Sequence, residues 1–555
     1  MNGKMSRREF LKLLGISGVT TLTANSLIGT SLARPPIVIE EDKYAIMILI
    51  DGLRADLFFE MLESGKLPNI KEHIVDRGAT MECVSPLPST TGPAHLPFLT
   101  GTLPGRNHVT GIRWVNRETC LCRDYCSSYE GIMINWDYNP EVPNIFEILG
   151  PYKTAAIYGI VNKRADIWEL PKAKEAWWAK RADWEQFDKK GIDYACKLYD
   201  SPNPPRFTFV WLPGVDHLSH FNGPKSDPVK GELKVIDEHI AGLIHKLKEK
   251  EIYEKTLIGI VSDHGLRDNE KHVRFPNHLS GEGLNVKQDL SRKHKWNSME
   301  RYNVVIAVSG NAYAEIYLCH DEIEKLVSTH DWPWEPTKKM KPIFHTAYNW
   351  AQGVRYEELE EFPVGKNRKI NVIELLLDAS GMNLLIVCKE LGKYIVYSSS
   401  GTGLIERNER DFVHIYRYSV TKGSDPLGYD SNLETSILMS DGKFHSSDEW
   451  LKASWSSRYI DAIVQFSQIF DSKNCGDIIA LSKPGHDLMD EGHVGSHGGP
   501  EREEVLVPAV FAGPGIAHKR LKYMRTVDVF RAYLKFFGIN SYHIPIDGRV
   551  PDIFG

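Results

Sequence analysis

Five short fragments, spread over about 450 residues, carry side chains of the kind that hold two divalent cations around a hydroxyl nucleophile. MILIDG contains Asp51, GVDHLSH contains Asp216 and His220, GIVSDHG contains Asp263 and His264, and GSHGG contains His497. The fifth, PSTTGPAH, places Thr91 forty residues after the first carboxylate. Three Asp and three His match the oxygen and nitrogen donors that two zinc ions take while keeping room for substrate. The same donors also admit manganese or iron. A free threonine hydroxyl is a poor nucleophile near neutral pH, and direct coordination to a divalent metal lowers its pKa and supplies the alkoxide. Gly92 and Pro93 set a turn after Thr91, and backbone N–H groups at the start of the next helix are expected to face a phosphoryl oxygen.

The elements that must position these groups are readable as alternating strands and helices. Apolar runs at 45–50, 154–160, 207–212, 257–261 and 505–512 read as fully buried parallel strands. Amphipathic stretches at 68–77, 230–250 and 526–537 read as helices. This pattern predicts an α/β domain with a mostly parallel sheet flanked by helices. In such sheets ligands bind beyond the carboxyl ends of strands, which is where Asp51, Asp216 and Asp263 fall. Gly52 lets the chain turn away after Asp51. Adjacent Asp263 and His264 can serve one ion, and Asp216 and His220, four apart on a helical turn, can grip a second. His217, His486 and His493 compete with His497 for the remaining position. Residues 342–450 break the alternation with short strand-like runs at 383–388, 393–398 and 412–418, and read as a β-rich insertion.

Composition narrows the classes. The 555-residue chain is 42% hydrophobic and 25% charged, with a mean hydropathy of −0.32, as expected for a large soluble core. Its net charge of −6 argues against a specific nucleic-acid partner. No run approaches the roughly 18 apolar residues of a membrane span. Residues 1–33 resemble a twin-arginine signal: Ser6-Arg7-Arg8-Glu9-Phe10-Leu11-Lys12, a mildly apolar stretch, then Ser31-Leu32-Ala33. Removing their four basic residues and one acid leaves a mature chain, 34–555, at about −9, with the twin-arginine export machinery as partner and the periplasm or exterior as destination. Of eight cysteines only Cys120, Cys122 and Cys126 cluster, and they lack a second ligand pair at zinc-finger spacing. They read as a loop staple or free thiols.

The fragments together resemble the alkaline phosphatase superfamily, on its nucleotide pyrophosphatase/phosphodiesterase branch. PSTTGPAH is similar to that branch's Pro-x-x-Thr-Phe-Pro-Asn-His, which implies Thr91 as nucleophile. The resemblance implies one zinc on Asp51, Asp263, His264 and Thr91, and another on Asp216, His220 and His497. It implies an alkaline-phosphatase-like fold over most of 43–285 and 490–540, with VLVPAVFAGPGI and the helix from Thr526 closing it. The activity implied is hydrolysis of a small-molecule phosphodiester or nucleotide pyrophosphate through a phospho-threonine. Gly92 and Ala94 replace the branch's Phe and Asn, and the Asn usual some twenty residues on has only Asn107, Arg113 and Asn116 as candidates here. Lys163 and Arg164 faintly resemble the Lys-x-Arg pair of zinc phosphomonoesterases, whose cations suit a terminal phosphoryl group. A monoesterase using that pair is therefore one alternative. A non-catalytic, zinc-stabilised binding protein of the same fold is another.

Overall fold

Apolar runs that bury both faces become the middle of the main sheet. The computed structural model describes residues 43–555 apart from 127–129, 274, 289, 291–298, 328–342, 352, 366, 490–491 and 540–543. The twin-arginine segment lies outside the described residues. Eight strands make the main sheet: β1 (Tyr44–Ile50), β2 (Ala79–Val84), β3 (Thr154–Ile157), β4 (Ile167–Glu169), β5 (Phe207–Leu212), β6 (Thr256–Val261), β7 (Leu506–Ala512) and β8 (Arg520–Arg525). Their spatial order is β8-β2-β7-β6-β1-β5-β3-β4. β6, β1, β5, β3 and β4 pair in parallel, as do β2 and β8. β7 runs antiparallel to both of its neighbours, so the expectation of a parallel strand at 505–512 is corrected. A continuous buried run shows that both faces are covered and carries no record of direction. The strand expected at 154–160 stops at Ile157, where Tyr158 takes a φ of 61° and turns the chain.

Helices cover the sheet through narrow apolar stripes. In the helix Asp227–Glu249, Val229, Leu233, Ile236, Ile240, Leu243, Ile244 and Leu247 are buried at three- and four-residue intervals. They join Ile46, Ile48 and Ile50 of β1 and Val210 and Leu212 of β5 in one core. The mixed α/β architecture with a large, mostly parallel sheet covered by helices is the one that the alternating strands and helices predict.

A second, nine-stranded sheet is largely antiparallel. Its order is Val286–Lys287, Val304–Ser309, Tyr313–Leu318, Ile478–Ser482, Met382–Glu390, Lys393–Tyr397, Gly401–Arg410, Val413–Gly423 and His445–Ser446. The runs read at 383–388, 393–398 and 412–418 all belong to it, but it starts before residue 342 and recruits Ile478–Ser482 into its middle. The strand-rich region is therefore wider than 342–450. No helix among the described residues is long and apolar enough to cross a membrane.

Candidate metal and catalytic centre

Asp51 follows β1 directly, and its N–H is bound by Leu212 O at the end of β5 (3.0 Å). Gly52 then turns at φ 71°, with its N–H on Asp263 Oδ1 at 3.3 Å. Leu53 N donates to Ser262 Oγ (2.9 Å), and Ser262 Oγ donates to His264 O (2.9 Å), which ties the β1 and β6 ends together. The helix Gly214–Asn222 starts two residues after β5 and carries Asp216 and His220.

His497 comes from far along the chain and is held by the second sheet. The turn between Val304–Ser309 and Tyr313–Leu318 clamps it: His497 N donates to Gly310 O (2.8 Å) and Ala312 N donates to His497 O (2.9 Å). Its Nδ1 faces Ser89 O at 3.0 Å, two residues before Thr91, leaving Nε2 for the centre. Gly498, at φ 102°, passes so near Ser309 O that a Cβ would lie 2.3 Å from it.

Two triads result, each with donor atoms within 4.8 Å of one another: Asp51, Asp263 and His264, and Asp216, His220 and His497. Their nearest rings stack, His264 on His497, at 3.9 Å between centroids and 10° between planes. Thr91 Oγ1 lies 3.4 Å from Asp51 Oδ2 and 3.3 Å from His264 Nε2, beside the first triad. One oxygen of each carboxylate, Asp51 Oδ1, Asp216 Oδ1 and Asp263 Oδ2, is buried without a hydrogen bond. Such orphaned carboxylate oxygens are costly unless a cation meets them. Burial, then the charges of Asp263 and Asp216, push the Asp51 carboxyl well up. Burial lifts Asp216 to about 7. It acts upward on Asp263 as well, where His264 and His95 outweigh it and hold the carboxyl at about 2. Burial, with His264 and His220 nearby, pushes the His497 imidazole well down, the neutral form a cation binds. Each triad's oxygen and nitrogen donors fit a divalent cation.

The competing histidines stand outside both triads, His493 beside the second of them. His217 packs its ring against that of Trp184, 4.2 Å between centroids and tilted by 44°. His486 Nδ1 turns to Pro484 O at 3.1 Å, on the strand Gly485–Asp487. His493 packs its ring 4.5 Å from that of His220 and meets Asn311 Nδ2 at 3.1 Å.

The expected substrate contacts are mostly engaged in holding the chain. Asn107 accepts from Val109 N (3.0 Å) and donates to Thr102 O (3.2 Å), closing its own turn. Asn116 Oδ1 accepts from Thr119 N at 3.0 Å in the hairpin Arg113–Asn116/Leu121–Asp124. Arg113 donates to Val308 O (3.3 Å) and pairs with Asp124 (3.4 Å). Lys163 pairs with Glu147 at 3.2 Å and lies over the Tyr138 ring, while Arg164 is exposed at φ 71°. The N–H groups expected to face a phosphoryl oxygen are used internally: Ala94 N donates to Thr90 O, and His95 N and Leu96 N to Gly92 O. The eight cysteines are free thiols.

Two contributors carry no motif of their own. Trp211 Nε1 donates to Asp51 Oδ2 at 2.7 Å, and His95 Nε2 lies 3.2 Å from Asp263 Oδ2. The His95 ring packs 5.5 Å from that of Trp211. His95 ends the PSTTGPAH fragment, so its presence was visible although its contact was not.

Residues 45–357 match the family model described as type I phosphodiesterase / nucleotide pyrophosphatase. Murine ectonucleotide pyrophosphatase / phosphodiesterase 5, solved as an inactive threonine-to-alanine form in complex with AMP, is 12% identical with a TM-score of 0.52, covering 92% of this chain and 100% of that one. The human ectonucleotide pyrophosphatase / phosphodiesterase 5 structure is 12% identical with a TM-score of 0.55, covering 91% and 97%. GPI ethanolamine phosphate transferase 1 of Mus musculus is 22% identical over 237 residues, 41% of this chain and 24% of its own length. The Emericella nidulans protein of that name is 22% identical over 258 residues, 41% and 26%. The chain thus spans about a quarter of the length of those curated relatives.

Proposed function

Because this chain belongs to the type I phosphodiesterase / nucleotide pyrophosphatase family, we propose that it is a two-zinc phosphodiesterase, acting on phosphodiesters or nucleotide pyrophosphates through a phospho-threonine at Thr91. The observation that carries this reading is the position of Thr91 Oγ1, 3.3–3.4 Å from two members of a triad whose carboxylates each keep an unbonded oxygen. Asp51, Asp263 and His264 would hold one cation beside Thr91, and Asp216, His220 and His497 would hold the other. Bound there, the cations lower the pKa of the Thr91 hydroxyl and offset charge on the leaving oxygen. Thr91 Oγ1 forms a bond to phosphorus as the bond from phosphorus to the leaving alcohol breaks, and the alcohol departs with a proton. Water then displaces Thr91 from phosphorus, and the hydroxyl regains its proton.

The murine relative of the same fold was solved with AMP in a form inactivated by a threonine-to-alanine change, which supports both a nucleotide-type substrate and a threonine nucleophile. The engagement of Lys163 by Glu147 favours a diester over a monoester. The Ser6–Lys12 motif supports export to the periplasm or exterior by the twin-arginine route.

Thr91→Ala should lower turnover of bis(p-nitrophenyl) phosphate by at least about 10³-fold while the zinc content of the protein stays the same. Turnover close to the parent's would remove Thr91 from the chemistry. A strong preference of the parent for p-nitrophenyl phosphate over the diester would replace the diesterase reading with the monoesterase one.

A further inference from the structure

The helix that supplies Asp216 and His220 also carries a second ridge, His217 and Phe221, turned toward the loop that precedes His497. Phe221 keeps 55% of its surface exposed although it is adjacent to a ligand residue. Its ring meets the His493 ring edge-on at 5.0 Å and lies 5.7 Å from His217, which rests on Trp184 at 4.2 Å. His493 in turn lies 4.5 Å from the His220 ring. Val494, 43% exposed, donates its N–H to His220 O at 2.8 Å and so sits on the same rim. An apolar and aromatic wall therefore begins at the second triad and opens to solvent.

Which part of a substrate meets this wall follows from the position of the nucleophile. Thr91 lies beside Asp51 and His264, in the first triad. In an in-line displacement the leaving oxygen departs on the far side of phosphorus, toward the second triad. Phe221, His493 and Val494 thus flank the leaving group and not the group that is transferred to Thr91. The charge there is wrong for a leaving pyrophosphate. Segments 217–224 and 492–496 contain no lysine or arginine, and the next residue, Lys225, is paired with Asp56 at 2.7 Å. The nearest charge to Gly223 is Asp268, whose Oδ1 lies 3.5 Å from where a Cβ would stand. An anionic leaving group gains nothing from such a rim, whereas a flat uncharged one can stack on it.

We propose that Phe221, with His493 and Val494, forms a leaving-group subsite that selects phosphodiesters of aryl or similarly flat, uncharged alcohols over nucleoside triphosphates. This rests on the phosphodiesterase reading above and narrows it to a substrate class.

The p-nitrophenyl ester of thymidine 5′-monophosphate and thymidine 5′-triphosphate transfer the same nucleotidyl group and differ only in what leaves. Phe221→Ala should lower the ratio of kcat/KM for the aryl ester to kcat/KM for the triphosphate by about tenfold, and Phe221→Trp should restore it. Phe221 is exposed, so the alanine variant should keep the parent's thermal midpoint. An unchanged ratio, or equal losses on both substrates, overturns the subsite while leaving the phosphodiesterase standing. Failure of the zinc-loaded parent to hydrolyse either substrate overturns the phosphodiesterase reading and the subsite with it.

Discussion

Gly52 and Asp216 stand so close that a Cβ on Gly52 would lie 2.7 Å from both Cα and Cβ of Asp216, and 2.8 Å from Leu266 Cδ1. The turn that carries Asp51 into one triad thus packs on the backbone of a member of the other. Two constraints meet at one residue, since Gly52 also needs a φ of 71°. The left-handed conformation alone costs a β-carbon about 1 kcal/mol, and the contact costs more unless the Asp216 helix shifts. Gly52→Ala should therefore push Asp216 away and weaken the second triad first. Zinc content should fall from about two toward about one per chain, with kcat/KM down by about 100-fold or more. Atomic absorption on the purified variant checks this, and full zinc with near-parental activity would mean that the helix yields freely.

Trp211 sets the direction of Asp51. Its Nε1–H holds Oδ2 at 2.7 Å, while Oδ1 is left without a hydrogen bond. A carboxylate held by one oxygen offers the other in a fixed direction, and loss of such a supporting bond typically costs about 10–100-fold in metal affinity or activity. Trp211→Phe keeps an aromatic ring beside His95, though a smaller one, and removes the donor. Zinc affinity, measured by competition with a chelator, should drop within that range while the thermal midpoint of the metal-loaded protein changes little. An unaltered affinity would show that the surrounding packing alone orients Asp51.

That the members of the two triads come together was legible because Asp51 and Asp263 sit at the ends of strands that the sequence marks strongly. β1 and β6 are unbroken apolar runs that end in Asp51 and, two residues on, Asp263, so burial pattern and chemistry change at nearly the same place. Strand direction was not legible: β7 has the same buried composition as β1 and runs the other way. Nor was the part played by the second sheet. Ala312 holds His497 through a backbone N–H that any residue except proline supplies, and Gly310, where φ is 62° and a Cβ would lie 2.5 Å from His497 Nδ1, is one glycine among 44 in the sequence, so neither residue type by itself points to the clamp. Asn107 and Asn116 have the right side chains at suggestive offsets, but each satisfies a local turn, and spacing cannot show which demand wins.

The second sheet also holds a titrating group outside both triads. Glu315, wholly buried on the strand Tyr313–Leu318, accepts from Tyr313 Oη (3.0 Å), Thr110 Oγ1 (3.2 Å) and Tyr317 Oη. Burial raises its carboxyl to about 8 from an ordinary 4.5, against the opposing pull of these hydroxyls and of Arg117. Between those two values the folded chain keeps a proton that the unfolded chain has released. Stability from this group is therefore full below about pH 4.5, declines as pH rises through the window, and is lost above about pH 8. Glu504 and Glu232, each raised to about 7 chiefly by burial, act in the same direction. The total for Glu315 is on the order of a few kcal/mol. Glu315→Gln retains the shape and an acceptor for the hydroxyls but cannot ionise. The thermal midpoint should therefore fall between about pH 6 and about pH 9 in the parent and fall less steeply in the variant. Equal slopes would show that Glu315 keeps one protonation state across the range and that the descent belongs to the other buried carboxyls.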